Sequence, residues 1–391
     1  MMKKKILGSI TLCGVLFSSS QAVSFEAFGH IGTAYSFGID KISKENGEKE
    51  KPWFGGATAR VGFEVGMGPV SLGLGVAGGL PYAISPSGEF SDFVENVYFT
   101  RASDVKWYNW ISDAYLRVDT RYFSFIGGRY DLSTFFDGKN GQIANGVDWF
   151  SGLSEGLSFR LESRYVNWWG IYSYETMDFG ARNPGRIGND LMGYHQYQKN
   201  GVDDAHYFSS GIDINIDDMV YIDPFSAYLL QGGDDILQAG GKLEFVFGGK
   251  SILSDTTIRG MYQNSTKNTY LWWIDQEFVF GDMFKLGGGY YSVGNDAGIY
   301  HQSDKTRFYG NTFGGGSDYF AAGSDVWYVF AGFTHKYFEL DLLYADKDYK
   351  EISAVAQVNL VNNRHAKFSI GGGYVRENSF DRGIAFTKLS F

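Results

Sequence analysis

Residues 57–76 read ATARVGFEVGMGPVSLGLGV and contain two runs in which every second residue is apolar. The apolar positions are 57, 59, 61, 63 and 65 in the first run, and 70, 72, 74 and 76 in the second. Polar residues and glycines occupy most of the alternate positions. Because successive side chains of a strand point to opposite faces, this period predicts strands with one apolar face and one polar or glycine face. The Gly68-Pro69 dipeptide between the runs predicts a turn, so the stretch reads as a β-hairpin.

The same hairpin pattern recurs along the chain. Short turns are predicted near residues 248–249, 281–282, 335–336 and 362–363, each between two alternating runs. Longer, more polar connections are predicted near residues 40–53, 83–106, 132–155, 175–206 and 295–324. Short and long connections thus alternate, which is the arrangement of outer-membrane-type barrels.

The fold predicted for residues 23–391 is all-β: a single transmembrane, antiparallel, up-and-down β-barrel of about eighteen strands. The predicted strands lie near residues 23–39, 54–67, 70–82, 107–119, 122–131, 155–162, 164–174, 207–217, 220–230, 236–248, 251–263, 269–280, 283–294, 325–335, 337–346, 350–361, 366–377 and 383–391. The turn near Ser163–Arg164 is the least marked boundary, and sixteen strands remain an alternative without it. A soluble sandwich would need a linker between two sheets or domains, and the sequence shows none.

The first 22 residues, MMKKKILGSITLCGVLFSSSQA, have a basic start, an apolar middle and a small-residue end. This pattern predicts a cleaved signal peptide. Cleavage would remove the single cysteine and take the formal net charge from −10 to −13. Such an acidic chain lacks the basic face that nucleic acids require, so no nucleic-acid partner is expected. Export and a barrel together predict the bacterial outer membrane, with its lipid and lipopolysaccharide as neighbours.

The chain ends in GIAFTKLSF, with Leu389 two residues before the final Phe391. This ending resembles the carboxy-terminal signal of Gram-negative outer-membrane proteins, although Thr387 and Ala385 are less hydrophobic than is usual there. The resemblance implies that Phe391 and Leu389 are read by the barrel-assembly machinery. An aromatic ring at the end of the last strand also suits the membrane interface.

Two further segments carry a family resemblance. They are GGRYDLSTFFDGKNGQIANGVDWFSGLSEGLSFRLESRYVNWW at 127–169 and GGGY at 371–374. With them, the chain resembles the porin-like outer-membrane family of Helicobacter, Campylobacter and their relatives, which is itself similar to the 18-stranded substrate-specific porins. The resemblance implies a channel for passive diffusion of small hydrophilic solutes or ions, with no cofactor.

With the apolar residues facing lipid, the alternating charged residues would line the pore. The predicted basic lining is Arg117, Arg129, Arg160 and Arg164, and the predicted acidic lining is Glu64, Asp113, Glu162, Asp275, Glu277, Glu339 and Asp341. The four arginines are predicted on neighbouring strands, with all four side chains facing inward. In this they resemble the basic row of carboxylate-transporting porins. Lumenal charges select ions and orient solutes. The net charge favours cations and the arginines favour anionic or zwitterionic solutes, so both preferences stay open here.

The connection at 132–155 lies where a porin's third external loop would fold inward. Asp137, Lys139 and Asp148 would then be constriction charges. A plain external loop is the alternative. The connection at 295–324, rich in Gly, Asn, Ser and Tyr, suits a surface-displayed loop. An alternative function is therefore an adhesin or antigen barrel with a largely closed lumen.

Catalysis is not expected from this sequence. The six histidines are scattered, no Ser/His or Asp/His set is apparent, and no metal-ligand spacing occurs. The glycine triplets follow strand or loop patterns rather than phosphate-binding ones. Monomer and trimer both remain open.

Overall fold

The structure, a computed structural model, describes residues 23–39, 42–43, 49–51, 53–84, 108–137, 152–177, 198–199, 206–231, 235–300, 307–309, 320–378 and 380–391. Eighteen long strands form one antiparallel wall. They are β1 (Val23–Gly38), β2 (Trp53–Met67), β3 (Val70–Ile84), β4 (Tyr108–Asp119), β5 (Phe123–Asp131), β6 (Leu153–Glu162), β7 (Val166–Met177), β8 (His206–Ile216), β9 (Val220–Leu230), β10 (Ile236–Gly248), β11 (Ile252–Asn264), β12 (Thr269–Phe280), β13 (Phe284–Val293), β14 (Asp325–His335), β15 (Phe338–Lys347), β16 (Glu351–Asn362), β17 (Lys367–Glu377) and β18 (Phe380–Ser390).

Shorter elements belong to the connections. The helix α1 (Leu132–Asp137) follows β5 directly. Ile42–Ser43 pairs with Lys49–Glu50 in the connection after β1, and Gln198–Lys199 pairs with the end of β7. Across the described ranges, no helix is both long and apolar enough to cross a membrane.

The wall closes on itself because the last strand pairs with the first. His30 of β1 lies opposite Ser390 of β18, and Gly38 lies opposite Arg382. Beyond the end of β18, the Phe391 N–H donates to the Gly29 carbonyl at 3.0 Å, and the Gly29 N–H donates to the Phe391 carbonyl at 2.8 Å. The final aromatic residue therefore completes the seam of a closed barrel, which satisfies backbone groups that an open edge would leave unpaired.

The predicted strand count of eighteen is confirmed, including its least marked boundary. Between β6 and β7, the Ser163 hydroxyl donates to the Val166 carbonyl at 2.6 Å, and the Val166 N–H donates to the Ser163 hydroxyl at 3.1 Å. This local hydrogen-bonded turn is a typical use of serine. The turn separates β6 from β7, so the alternative of sixteen strands is excluded.

The outer face is apolar and exposed, as the alternation predicts. On β3, Leu72, Leu74 and Val76 are 60, 52 and 57% exposed, which only a lipid-like surrounding would make favourable. The glycines between them face the interior. A Cβ on Gly73 would overlap the ring of Tyr115 on β4, and a Cβ on Gly289 would overlap the ring of Tyr328 on β14. Inward glycines thus make room for large rings from the neighbouring strand.

This packing predicts that alanine is costly at Gly73 and tolerated at Gly260. In Gly73→Ala, the new methyl group would displace the Tyr115 ring and lower the free energy of unfolding by about 1–3 kcal/mol. In the control Gly260→Ala, no atom lies within 4 Å of the new Cβ. Urea unfolding followed by tryptophan fluorescence checks this. Equal destabilisation of both variants would contradict it.

Candidate functional site

The seven predicted acidic residues all lie on the inner face of the wall. They are Glu64, Asp113, Glu162, Asp275, Glu277, Glu339 and Asp341, each on the opposite side of its strand from the exposed apolar residues. Asp113 is fully buried and Asp275 is nearly so. These side chains face the interior, and their role as a pore lining stays a prediction.

The four predicted arginines do not form one row. Arg117 and Arg160 face inward, whereas Arg164 lies in the turn before β7, with its guanidinium carbon 4.9 Å from the centre of the Tyr165 ring. Arg129 lies opposite Ala114 in the neighbouring strand, and both face outward like the exposed Leu116. Its guanidinium donates to the Glu155 carboxylate at 2.6 Å. The prediction of four arginines with one inward direction was wrong.

The reason lies in β5, where the usual alternation is reversed. Ile126 and Tyr130 face inward and are 3 and 0% exposed, because α1 covers the lumenal side of this strand. Inward positions beneath a packed helix are apolar, so the charged Arg129 takes the other side. The sequence rule that apolar residues face lipid fails where another element fills the lumen.

Helix α1 places the start of the 132–155 connection inside the barrel. Leu132, Phe135 and Phe136 are at most 4% exposed, and the Phe136 ring lies 5.8 Å from Trp169 of β7. The Arg160 guanidinium donates to the Phe136 carbonyl at 3.2 Å, which fixes the end of the helix to the wall. Of the predicted constriction charges, Asp137 is the last residue of α1 and its side chain is not described. Lys139 and Asp148 lie outside the described residues.

A second inward segment comes from the connection between β13 and β14. Its Arg307 guanidinium contacts Asp275 at 2.7 and 3.0 Å and Glu277 at 2.8 Å, both on β12. One face of the guanidinium lies 3.8 Å from the centre of the Phe330 ring. Asp275 is six residues from the start of β12 at Thr269, which corresponds to roughly 20 Å along a strand. The segment therefore reaches well into the barrel.

The next two residues fasten this segment across β14, β15 and β16. Phe308 is fully buried, with its ring 5.4 Å from Tyr328 and 4.9 Å from Tyr349. The Tyr309 hydroxyl donates to Asp341 at 2.7 Å, and the Tyr309 N–H donates to the Glu351 carboxylate at 2.8 Å. Rings and buried hydrogen bonds together hold residues 307–309 against the wall.

The beginning of the same connection also lies inside. Gln238 donates to the Tyr300 carbonyl at 2.7 Å, and Gln263 donates to the Gly298 carbonyl at 3.1 Å. The interpretation of residues 295–324 as an outward loop is therefore wrong for its described parts. Local sequence could not show this, because Gln238 and Gln263 lie on β10 and β11, far from the loop in the chain.

Among the described residues, four lumenal cations each contact two carboxylates, and we name these groups the charge triads. They are Arg60 with Asp113 (2.5 Å) and Asp131 (2.9 Å), Arg160 with Glu162 (3.7 Å) and Asp213 (3.9 Å), Lys242 with Asp223 (3.2 Å) and Glu244 (3.0 Å), and Arg307 with Asp275 and Glu277. Burial requires such pairing, since an isolated charge away from water is costly. The sequence analysis missed Asp131, Asp213, Asp223 and Arg307, because their partners lie on other strands or a distant loop.

Other lumenal charges also form ion pairs. These are Arg117 with Asp119 (2.5 Å), Lys285 with Asp341 (2.6 Å), Lys367 with Glu339 (2.6 Å) and Arg382 with Glu377 (3.2 Å). Within the part of the chain that the structure describes, no group of three His, Cys, Asp or Glu residues could hold a metal ion.

Comparison with known proteins identifies the fold. No family model matches the chain, and no curated protein matches it. Among solved structures, the chain is similar to a BenF-like porin from Pseudomonas fluorescens Pf-5, at 12% identity with a TM-score of 0.62 over 94% of this chain and 99% of that one. It is also similar to Pseudomonas aeruginosa OccD3, at 11% identity with a TM-score of 0.59 over 93% and 91%. The outer membrane protein opdK from Pseudomonas aeruginosa matches at 8% identity, with a TM-score of 0.62 over 94% and 98%.

The chain has a porin fold. At these identities the likeness concerns architecture alone, and it extends over nearly the whole of each chain. The porin fold also explains why charged residues face inward, since barrels of this size are wide enough to hold water.

Removing the cation of a charge triad should lower the free energy of unfolding more than removing a cation from an exposed pair. Arg60→Ala would leave Asp113 and Asp131, which are 0 and 5% exposed, without that cation. We expect the free energy of unfolding to fall by about 3–5 kcal/mol. In the control Lys347→Ala, the lost pair with Asp325 is exposed and contributes at most about 1 kcal/mol. Urea unfolding in detergent compares the two. Similar losses in both variants would contradict the prediction.

Proposed function

We propose that this protein is an outer-membrane porin through which small hydrophilic solutes or ions diffuse passively. The observation that carries the proposal is a closed wall of eighteen strands with an apolar outer face and a charged inner face. The shared fold with solved porins supports it. No energy source or cofactor is needed, because solutes would follow their own gradients.

The proposal includes the cellular setting. Residues 1–22 would direct export and be removed, and the barrel would then insert into the outer membrane, in contact with lipid and lipopolysaccharide. Phe391 and Leu389 would be read by the barrel-assembly machinery, which fits the position of Phe391 at the barrel seam. Relation to the porin-like family of Helicobacter and Campylobacter stays a prediction based on residues 127–169 and 371–374.

Selectivity would come from two inward segments on different arcs of the wall. Helix α1 packs against β5 and β7, whereas residues 307–309 pack against β12 to β16. Both would narrow the lumen from the side of the barrel that carries the long connections. A solute would pass between them, where size and the field of the wall charges decide whether it permeates.

One observation favours the alternative, a surface-displayed barrel acting as an adhesin or antigen. The same two segments occupy part of the lumen, and each is fixed by buried aromatic rings. A barrel whose lumen is largely closed would only present its loops.

Planar-bilayer recording of the purified, refolded protein distinguishes the two functions. A porin gives stable current steps when single barrels insert. A folded barrel, shown by its heat-dependent shift on gel electrophoresis, that gives no current in repeated insertions would contradict the porin function and favour display.

The anchoring of residues 307–309 predicts a gain of conductance in Arg307→Ala. Loss of the guanidinium would release the segment from Asp275 and Glu277, so we expect larger current steps with more open-channel noise. The matched control is Arg376→Ala, since Arg376 lies on the outer face in an exposed pair with Asp381 at 3.6 Å. A conductance that changes equally in both variants, or in neither, would show that Arg307 does not hold a constriction.

A further inference from the structure

Three short turns of the barrel repeat one sequence pattern, a basic residue followed by tyrosine and then an apolar residue. We name them the basic-tyrosine turns: TRYF at 120–123, SRYV at 163–166 and HKYF at 335–338. In each turn the cation lies over the ring of the next residue, 5.0 Å from the ring centre for Arg121, 4.9 Å for Arg164 and 5.1 Å for Lys336. The same side-chain pair therefore occurs at three distant places in the chain.

The backbone of two of these turns is fixed by the same pair of hydrogen bonds. The Thr120 hydroxyl donates to the Phe123 carbonyl at 2.9 Å, and the Phe123 N–H donates to the Thr120 hydroxyl at 3.1 Å. Ser163 and Val166 form the equivalent two bonds. A hydroxyl that bonds its own turn stabilises the bend, so each arginine-tyrosine pair is held at the tip of a defined turn.

The three cations are available to a ligand outside the chain. Arg121, Arg164 and Lys336 are exposed, and among the described residues none of them forms an ion pair with a carboxylate. A guanidinium with one face on a ring keeps the N–H groups at its edge, which suit bidentate contact with a phosphate. The ammonium group of Lys336 offers a compact positive charge.

The tyrosines place these cations at the edge of the membrane. Tyr122, Tyr165 and Tyr337 are 59, 49 and 54% exposed, at the ends of strands that are apolar on their outer face. Tyrosine is enriched where a membrane meets water, because its ring is apolar and its hydroxyl is polar. The short turns of outer-membrane barrels lie on the periplasmic side. Phosphate groups of phospholipid headgroups are present at this level of the membrane.

The basic-tyrosine turns lie on two opposite sides of the barrel. Two strands separate the turn at 120–123 from the turn at 163–166, which corresponds to roughly 10 Å. The turn at 335–338 is eight strands away from them in either direction, across β7 to β14 or across β15 to β4. The turns after β8 and β12 carry aspartates instead, at 217–218 and 282. A basic tip is therefore a property of particular turns and not of the whole periplasmic rim.

We propose that the basic-tyrosine turns bind the phosphate groups of phospholipid headgroups in the periplasmic leaflet, with a preference for anionic phospholipids. The tyrosine ring would lie among the headgroups, and the cation above it would contact the phosphate. The inference rests on the proposed insertion into the outer membrane, and it holds whether or not the lumen conducts. It also gives Arg164, predicted from the sequence to line the pore, a role at the membrane surface.

Spin-labelled lipids test the inference on the refolded barrel. The protein is inserted into phosphatidylcholine vesicles that contain a trace of spin-labelled phosphatidylglycerol or spin-labelled phosphatidylcholine, and the immobilised fraction gives the relative association constant. We expect phosphatidylglycerol to be favoured about two- to fivefold. Equal association of the two lipids with inserted barrels would overturn the inference and leave the porin function intact, since conduction is measured separately in planar bilayers. Failure of folded protein to enter any bilayer would overturn both.

Two triple variants separate the basic-tyrosine turns from surface charge in general. In the test variant the preference for phosphatidylglycerol should disappear, whereas the control removes three exposed cations at the other end of the barrel that already pair with Asp325, Asp346 and Asp381. The test variant is Arg121→Gln with Arg164→Gln and Lys336→Gln, and the control is Lys347→Gln with Lys350→Gln and Arg376→Gln. The heat-dependent shift on gel electrophoresis verifies folding of both. An equal loss in the control, or no loss in the test variant, would overturn the inference.

Inorganic phosphate distinguishes a lipid headgroup from a free ion. Calorimetric titration of the detergent-folded wild type with millimolar phosphate should show no saturable binding, because the tyrosines supply a membrane-level position rather than a closed pocket. Saturable binding that the test variant abolishes would overturn the assignment to lipid.

Discussion

The pairing of β1 with β18 is the constraint on which the rest of the structure depends. In lipid, backbone N–H and C=O groups have no water to bond, so a spanning sheet must have no open edge. Here the seam runs from Gly38 opposite Arg382 to His30 opposite Ser390, and two further hydrogen bonds join Gly29 to Phe391. Closure fixes which side of every strand faces lipid and which faces the interior.

A wall of eighteen strands encloses more space than side chains of the strands alone would fill. The protein fills part of this space with rings over inward glycines, such as Tyr115 over Gly73. It fills another part with α1 and residues 307–309. Each insertion is fastened by polar contacts to the wall, as Arg160 holds Phe136 and Asp275 holds Arg307. The lumen is therefore shaped by contacts between elements that are distant in the chain.

The charged residues of the lumen hold the strands of the wall together. Deeply placed cations need carboxylates, and a cation that lies between two carboxylates holds several strands together at once. Arg60 joins β2 to β4 and β5 in this way through Asp113 and Asp131.

The sequence by itself determined the wall. Alternation of apolar and polar residues is local, with a period of two, so it predicted all eighteen strands and the turns between them. Only the tertiary structure decided what the lumen contains. The inward fold of residues 307–309 depends on Asp275 and Glu351, which no local pattern connects to Arg307. The outward direction of Arg129 follows from α1. Because this helix packs on the inner face of β5, the inward positions of that strand are apolar, whereas the inward positions of other strands are polar.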